Sequence, residues 1–459
     1  MTGVYMDEFA QQLRSGLDHA TDGVYPSARF DELFLGSVRR RNRRRRTSVA
    51  TAAAMAGAAL AGTFISIGHS GPGRTSVHYA TGPQVTAAPT GAEWSWTSLP
   101  AAPIAPRIED FSVWTGSEMI VWGGAGASSS DSSQGAAYEP ATDAWTKLPS
   151  APISGRVGAV GVWTGTEALI FGGSGAAGEP TDGAAYDPTT NAWRKLRAAP
   201  LGNLTASGSY AVWTGKQMLA WGFFATTSRA PSHSGCGNDS HGGGSCAIAM
   251  FDPSTNKWTV GAAAPVEAPI FGDAFWTGAE MIVVGWGGGS GPGIAIAYNP
   301  QTNTWRQLPV SPLSGARTDE LAAWDGTELI VGGGRGPAAN QSQDDAAAYN
   351  PATNTWRQLP DAPEGFTGSQ EYPDVWTGHY VISLDDNDAQ GRPLILDPAT
   401  GTWQLGPAAS QPDITGTPAI WTGTEIIRWS GGTPYPTGQS DSAGCCKYVP
   451  GGEALTVGN

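Results

Sequence analysis

The sequence has few of the residues that usually carry catalysis and metal binding. Its 459 residues include only 4 Cys and 6 His, and charged residues make up 14% of the total. No Ser/His/Asp set recurs at a fixed spacing, no glycine loop has a phosphate-binding pattern, and no Cys/His spacing matches a zinc site. These absences argue against triad hydrolases, nucleotide-binding enzymes and zinc enzymes. We therefore expect neither a cofactor nor a metal.

Positive charge is also scarce over most of the chain. The net charge is −14, although residues 1–69 carry nine Arg against six acidic residues, so the remainder is strongly acidic. Such a domain repels phosphates, which argues against nucleic acid or anionic lipid as its partner. The composition is not that of a disordered chain, because 19 Trp and 40% hydrophobic residues can build a large core.

The four cysteines lie in two places. Cys236 and Cys246 share one Gly-rich stretch, and Cys445 is adjacent to Cys446. If this part of the chain is outside the cytoplasm, Cys236 and Cys246 are candidates for a disulfide that closes the longest insertion. Two free thiols are the alternative, and a metal site that includes two nearby histidines is a weaker one.

The chain is instead rich in a repeat built on tryptophan. Residues 157–196 contain two apolar runs joined by a Thr-Gly turn, then a glycine doublet, a loop and a Tyr-Asp-Pro segment that leads to a second Trp. Such runs, separated by Gly, Pro, Asn and Asp, predict four antiparallel strands joined by tight turns. The unit recurs about every 50 residues, as in a repeat array. Its first Trp is Trp114, Trp163, Trp213, Trp276, Trp324, Trp376 and Trp421, and its second is Trp96, Trp145, Trp193, Trp258, Trp305, Trp356 and Trp403.

This unit resembles a kelch repeat. The resemblance rests on the glycine doublet after the second strand and on the Tyr-Asp-Pro-x-Thr-Asn-x-Trp segment, which stands here as residues 186–193 and, in related form, as residues 349–356. It covers about residues 93–450 and implies an all-β fold, a seven-bladed kelch-type β-propeller. We assign the propeller domain to residues 93–459.

The resemblance also extends to enzymes. Galactose-oxidase-like members bind copper through two His and two Tyr, but the histidines after residue 92 are only His233, His241 and His379, which does not supply that set. Sialic-acid mutarotases are kelch-like as well and use charged residues at the channel. A carbohydrate-active enzyme is therefore the alternative to a binding protein.

Most of the repeated residues are expected to be structural. Large flat tryptophans fill the wedge between neighbouring blades, so the loss of one should cost about 3–5 kcal/mol of stability. The glycine doublets, the Asp or Asn before each Pro and the Glu after each Thr-Gly turn are assigned to turns and close packing. None of them is a predicted catalytic residue.

The seventh unit lacks a closing Trp of its own. Residues 94–99 form an orphan strand around Trp96, before the first complete unit. We expect this strand to complete the seventh sheet, because pairing the chain ends removes the open edge of a linear array. Residues 454–457 are the alternative, since they follow Pro450 at a suitable distance with Leu455 in the place of the Trp.

Residues 1–92 predict a membrane anchor. Residues 1–47 form a basic cytosolic segment, residues 48–68 carry no charge, and residues 69–92 form a Gly/Pro/Thr linker. A helix over residues 48–68 is about 31 Å long, enough to span a bilayer, and the Arg-rich flank places the propeller outside the cell membrane. A cleaved secretory signal is the alternative. Short amphipathic faces in residues 1–38 form either a docking site for a cytosolic partner or a marginal tail.

Candidate ligand-binding residues precede the first Trp of the repeats. Arginines and carboxylates stand at fixed distances before that Trp in several repeats, so the repeat register is expected to gather them at one rim of the channel. They are Arg107, Glu109, Asp110, Arg156, Arg317, Asp319, Glu320 and Glu371. Asp273, Asp374 and Asp413 lie nearby but out of step. Such a rim can bind a sugar or a peptide, or it can simply solvate the channel mouth.

These features together predict a membrane-tethered, extracytoplasmic recognition module. It would present its loops to a protein, peptide or glycan. A carbohydrate-active enzyme at the channel rim is the alternative. A signalling role, in which the outer domain senses and residues 1–38 relay, is a third.

Overall fold

The computed structural model of the chain consists of two compact units. One comprises residues 1–75 and 434–447, and the other comprises residues 76–433 and 448–459. The structure describes residues 86–87, 94–126, 133–175, 180–200, 209–224, 245–264, 271–286, 293–315, 317, 320–336, 343–363, 366, 374–384, 391–411, 417–434 and 446–458. Nearly all of these belong to the second unit.

The predicted N-terminal segments fall almost entirely outside the described residues. This holds for the cytosolic segment 1–47, the membrane span 48–68 and all but two residues of the linker 69–92, so these assignments stay predictions. In the part of the chain that is described, no helix has the length and apolar character needed to cross a membrane.

The second unit is a propeller of seven antiparallel blades with four strands each. Blades are numbered 1 to 7 along the chain, and strands run from the first, at the centre, to the fourth, at the outside. The first strands are Arg107–Trp114, Val160–Trp163, Tyr210–Trp213, Phe271–Trp276, Leu321–Trp324, Val375–Trp376 and Ala419–Trp421. The second strands are Met119–Gly126, Ala168–Phe171, Met218–Phe224, Met281–Trp286, Leu329–Gly332, Val381–Ser383 and Glu425–Trp429.

The outer strands follow the same order. The third strands are Gly135–Glu139, Gly183–Asp187, Ser245–Asp252, Ile294–Asn299, Ala346–Asn350, Leu394–Asp397 and Gly452–Thr456. The fourth strands are Ala144–Lys147, Ala192–Lys195, Lys257–Val260, Thr304–Gln307, Thr355–Leu359, Thr402–Leu405 and Ser95–Ser98. Three further short strands are Thr86–Ala87, Gly432–Pro434 and Cys446–Tyr448. The predicted all-β, seven-bladed fold is confirmed.

The first strands form a closed ring. Each contacts the first strand of the next blade, and that of blade 7 contacts that of blade 1. Seven hydrophobic clusters of described residues lie between the blades, one at each interface. Second strands such as Ala168–Phe171 are buried along their whole length, because both faces of a blade pack against neighbours. This double burial explains their continuous apolar sequence.

The Trp of each fourth strand joins its blade to the preceding one. Its indole N–H donates to a backbone carbonyl just after the fourth strand of that blade, over 2.7 to 3.1 Å. The seven pairs are Trp96 with Pro407, Trp145 with Pro100, Trp193 with Pro149, Trp258 with Arg197, Trp305 with Ala262, Trp356 with Pro309 and Trp403 with Pro360. The expected structural role of these tryptophans therefore includes a directional bond between blades.

Tight turns of one design lie at one end of the ring, which we call the lower face. Thr164 accepts a hydrogen bond from the backbone N–H of Glu167 at 2.9 Å, while Gly165 takes a φ of 98° that favours glycine. Between the third and fourth strands, Asn191 takes a left-handed φ of 49° and accepts from the hydroxyl of Tyr186 at 2.9 Å. Closely similar turns recur in the other blades.

The N-terminal strand completes blade 7, as expected. Ser95–Ser98 pairs antiparallel with Gly452–Thr456, and Trp96 lies opposite Leu455. Gly452–Thr456 also pairs with the second strand, Glu425–Trp429. The alternative closing strand at residues 454–457 is therefore wrong, because that stretch belongs to the third strand.

A buried ion pair holds the closing blade together, and we call it the closure clasp. Arg428 and Glu453 face each other on the second and third strands, and their side chains are 5% and 0% exposed. Nε of Arg428 donates to Oε1 of Glu453 at 2.9 Å, and Oγ of Ser410 donates to Oε2 at 2.6 Å. The guanidinium also lies over the ring of Trp96, 4.9 Å from its centroid. The clasp therefore connects the N-terminal strand, the C-terminal strand and the segment after blade 6.

Breaking one side of the clasp should destabilise the propeller strongly. We expect Glu453→Gln to lower the free energy of unfolding by about 3–5 kcal/mol, because Arg428 is then left charged and buried. The double change Arg428→Met with Glu453→Leu should recover most of that loss. Urea unfolding of the wild type and the two variants measures this, and a double variant no more stable than Glu453→Gln would contradict the clasp.

Candidate functional site

Those charged residues predicted at the channel rim that the structure describes lie at the end of the ring where the first strands begin, which we call the upper face. Strands alternate in direction, so the segments between second and third strands and those between blades reach the same face. The described ones divide into arginines that contact the blades and carboxylates near the centre.

The arginines bind the backbone of their own blades. Arg156 is 1% exposed, and its Nη1 donates to the carbonyls of Gly172 at 3.3 Å and Asp182 at 3.0 Å, while Nη2 donates to the Asp182 carboxylate at 2.9 Å. The equivalent contacts elsewhere are Arg317 with Gly333 and Asp345, and Arg107 with Gly123 and Gln134. Each guanidinium thus fastens the glycine doublet to the start of the third strand.

The same arginines also join neighbouring blades through their backbone carbonyls. The N–H of Gly124 donates to the carbonyl of Arg156, and that of Gly431 to the carbonyl of Arg107, both at 2.9 Å. Gly124 has a φ of 85°, and a Cβ at this position would lie 2.8 Å from the carbonyl oxygen of Ile108, so only glycine fits. The contacts described here are those of scaffold residues, and a ligand role for these arginines stays a prediction.

Three carboxylates gather at the inner strands of blades 4, 5 and 6. This carboxylate cluster consists of Asp273, Glu320 and Asp374. Asp273 and Glu320 are 5% and 6% exposed, and Oδ2 of Asp374 accepts from the backbone N–H of Ala322 at 2.9 Å. Burial, then the charges of Asp374 and Glu320, raise the pKa of Asp273 well above its usual value.

Only one member of the carboxylate cluster follows the sequence register. Glu320 was expected at the rim, whereas Asp273 and Asp374 lie at different distances from the first Trp of their repeats.

Tyr210, on the first strand of blade 3, lies beside the cluster. Its hydroxyl accepts from the N–H of Gly272 at 2.9 Å. Burial and the charge of Asp273 raise the pKa of Tyr210, so this side chain also borders the cluster. No spacing rule indicated Tyr210.

Blade 1 places two more carboxyl-bearing residues, Asp110 and Glu109, at the upper face. Asp110 is 3% exposed, its Oδ2 accepts from Oγ of Ser112 at 2.7 Å, and among the described residues its buried Oδ1 has no hydrogen-bond partner. Burial raises the pKa of Asp110 to about 6, against the opposing effects of Ser112 and Arg107. Glu109 has a left-handed φ of 54°, and its carbonyl accepts from the N–H of Gly158 in blade 2 at 3.0 Å.

Several predicted residues cannot be placed beside these groups. Asp319, Glu371 and Asp413 lie outside the described residues, as does Cys236. For Cys246 the structure describes the strand but not the side chain. The disulfide prediction is therefore untested.

The described arrangement suits polar recognition. In the part of the chain that the structure describes, no group of three or more His, Cys, Asp or Glu is placed to hold a metal ion. Carboxylates in a partly enclosed site accept hydrogen bonds from hydroxyls and attract cations, and they repel phosphate.

The comparison with family models supports the assignment of the repeats to the kelch type. The model of the kelch motif matches residues 325–363, which run from the turn after the first strand of blade 5 through its fourth strand, Thr355–Leu359. A comparison with curated proteins finds no match. The matched blade shares its turns and tryptophans with the six others, so the predicted kelch-repeat propeller is confirmed.

The raised pKa of Asp110 predicts a stability that depends on pH. Its folded-state pKa of about 6 lies above the ordinary value of 3.8, so folding takes up a proton between these values and stability falls as the pH rises through them. We expect Asp110→Asn to be about 2 kcal/mol more stable than the wild type at pH 7 and nearly equal to it at pH 4.

Asp187→Asn provides a control of opposite sign. Hydrogen bonds from Thr190 and Thr189 lower the pKa of this exposed carboxyl, so its contribution is present at neutral pH and is lost as the pH falls. Urea unfolding between pH 2 and pH 8 compares the two variants, because the effect of Asp187→Asn develops below the ordinary pKa of 3.8 and that of Asp110→Asn above it. A pH-independent effect of Asp110→Asn would contradict the assigned ionisation.

Proposed function

Since the chain is a kelch-repeat propeller, and kelch propellers commonly bind proteins, we propose that it is an extracytoplasmic recognition module tethered to the membrane. It binds a protein, peptide or glycan at its upper face. The observation that carries this proposal is the contrast between the two faces of the ring.

The lower face is uniform, whereas the upper face is variable. Short turns of one design join the strands at the lower face in blade after blade. The segments between second and third strands begin and end at the upper face, and they differ greatly in length, for example residues 287–293 in blade 4 and residues 225–244 in blade 3. Binding residues concentrate on variable loops held by a rigid scaffold, so the upper face is the favoured recognition surface.

The charge of the upper face narrows the choice of ligand. Asp273, Glu320 and Asp374 lie on adjacent blades, and their mutual repulsion is reflected in the raised pKa of Asp273. A cationic or hydroxyl-rich ligand relieves this repulsion, while a phosphorylated ligand increases it. Basic peptides and neutral glycans are therefore the first ligands to test.

A peptide array and a glycan array probed with the full-length chain test this proposal. We expect a hit whose affinity falls about tenfold or more in Asp273→Asn, because the variant removes a buried carboxylate without leaving a charge unpaired. Asp252→Asn is the matched control: it removes one negative charge from the lower face, and Asn already stands at the equivalent positions 299 and 350.

Two outcomes would contradict recognition at the upper face. One is a hit weakened by Asp252→Asn and unaffected by Asp273→Asn. The other is multiple turnover of a sugar that Asp273→Asn abolishes with the fold intact. A carboxyl with a raised pKa can serve as a general acid, so the second result would favour the carbohydrate-active enzyme.

The membrane tether is a separate part of the proposal. It rests on the uncharged stretch 48–68 behind an Arg-rich flank. We expect the full-length chain to sediment with membranes and to be released by detergent but not by high salt, and the propeller to be cut by protease added outside the cell. A soluble form that begins near residue 70 would instead support a cleaved signal.

A further inference from the structure

Three blades hold an arginine in the same way at the lower face. The Glu of the turn after the first strand pairs with the Arg that follows the fourth-strand Trp, with a shortest N–O distance of 2.6 Å in each case. The pairs are Glu167 with Arg194, Glu280 with Arg306 and Glu328 with Arg357. The repeat therefore contains a built site for a guanidinium group.

The contacts of Arg306 show this site in full. Its Nε and Nη2 donate to the Glu280 carboxylate at 2.6 to 3.1 Å, and its Nη1 donates to the hydroxyl of Tyr349 at 3.1 Å and to Oδ1 of Asn354 at 3.0 Å. The last two residues belong to the next blade. A carboxylate from one blade and a Tyr–Asn pair from its neighbour thus surround the guanidinium.

The interface of blades 7 and 1 repeats these groups with a different residue in the arginine position. Glu425 occupies the place of Glu280, and the hydroxyl of Tyr138 donates to Oδ1 of Asp143 at 2.8 Å, as Tyr349 does to Asn354. The two blades pack against each other in one hydrophobic cluster that contains Tyr138 and Ile427, and burial and then the charge of Asp143 raise the pKa of Glu425. The residue after the fourth-strand Trp is Thr97 in place of Arg.

We propose that Glu425, Tyr138 and Asp143 form a seat for an arginine side chain of a partner polypeptide. Within the described residues, no cation forms an ion pair with Glu425. Thr97 and Asp143 are exposed, so the seat is open to solvent. Asp143 replaces the Asn found in blade 5, which adds a second negative charge. The equivalent groups in the same chain bind a guanidinium, and its planar fork matches a carboxylate better than an ammonium does.

A second seat of the same kind lies one blade further on. It consists of Glu118, Tyr186 and Asn191, and Thr146 stands in the arginine position. The hydroxyl of Tyr186 donates to Oδ1 of Asn191 at 2.9 Å, as in the occupied site, and the charge of Glu118 contributes to the raised pKa of Tyr186. A partner with two arginines can therefore occupy neighbouring seats. Both seats lie on the lower face, so the proposal does not depend on recognition at the upper face.

Filling the seats from the chain itself provides the first test. Thr97→Arg places an arginine where blades 2, 4 and 5 carry one, so we expect a higher Tm than the wild type. Thr259→Arg is the control, since it adds the same charge at the same repeat position in blade 3, where Gln217 stands in place of the Glu. A Tm for Thr97→Arg no higher than for Thr259→Arg would overturn the seat.

The second test measures binding to the full-length chain at low ionic strength. The probe is a fluorescein-labelled Gly-Arg-Gly-Arg-Gly peptide, with lysine and citrulline versions for comparison, followed by fluorescence anisotropy. We expect the arginine peptide to bind most tightly. The double variant Thr97→Arg with Thr146→Arg should weaken binding about five- to tenfold, and Thr259→Arg should leave it unchanged.

Three results of this test would overturn the proposal. They are an absence of binding, equal binding of the arginine and citrulline peptides, and a loss of affinity in Thr259→Arg as large as in the double variant. The last result would show attraction by net charge rather than by a built seat.

Discussion

The hydrogen bond from each fourth-strand indole to the preceding blade is the interaction on which the ring depends. Hydrophobic contact between blades is non-directional and tolerates sliding, but an N–H to carbonyl bond near 3 Å tolerates little displacement. Trp305 shows both effects, because its ring lies 4.8 Å from that of Trp221 while its indole N–H reaches the carbonyl of Ala262. Seven such bonds set one spacing and one tilt for all blades, and that spacing determines which residues meet at the centre.

Ring closure extends the same bond to the two ends of the chain. Trp96 donates to Pro407 like its six counterparts, although its strand precedes the first blade in sequence. The strand has only four residues, and the pairing of such a short strand alone contributes little stability. The closure clasp supplies what the strand lacks, since Arg428 stacks on Trp96 and its partner Glu453 lies in the neighbouring strand. A buried ion pair is weak evidence for stability by itself, but here it ties together strands that come from opposite ends of the chain.

The sequence was sufficient for the blades because their positions follow from tryptophan spacing. It predicted the number of blades, the strand order and the origin of the closing strand. It was less informative about the site, because the first strands differ in length, from Arg107–Trp114 to Val375–Trp376. Counting back from the Trp therefore left Asp273 and Asp374 out of step with the predicted rim, although the charges of Asp374 and Glu320 act on Asp273 in the fold.

The arginines of the rim show another limit of reading the sequence alone. A repeated Arg at the mouth of a channel suggested ligand binding. In the structure, Arg156 and Arg317 are nearly fully buried and donate to backbone carbonyls of their own blades. Main-chain acceptors leave no trace in the sequence, so the scaffold contacts of these arginines become evident only when the backbone is placed.

Comparison among the blades supplies the information that no single blade holds. A contact present in several copies shows what the local geometry can hold, and a copy that lacks one partner leaves that place open. Glu280 holds an arginine of its own chain, whereas Glu425 keeps the carboxylate and the neighbouring tyrosine with Thr97 in the place of the arginine. Because the surrounding groups still form a guanidinium site, the replacement of Arg by Thr97 leaves that site to an arginine from a partner. The chemistry of the contact stays the same. In a repeat protein, such departures mark the positions where a scaffold contact can become a binding contact.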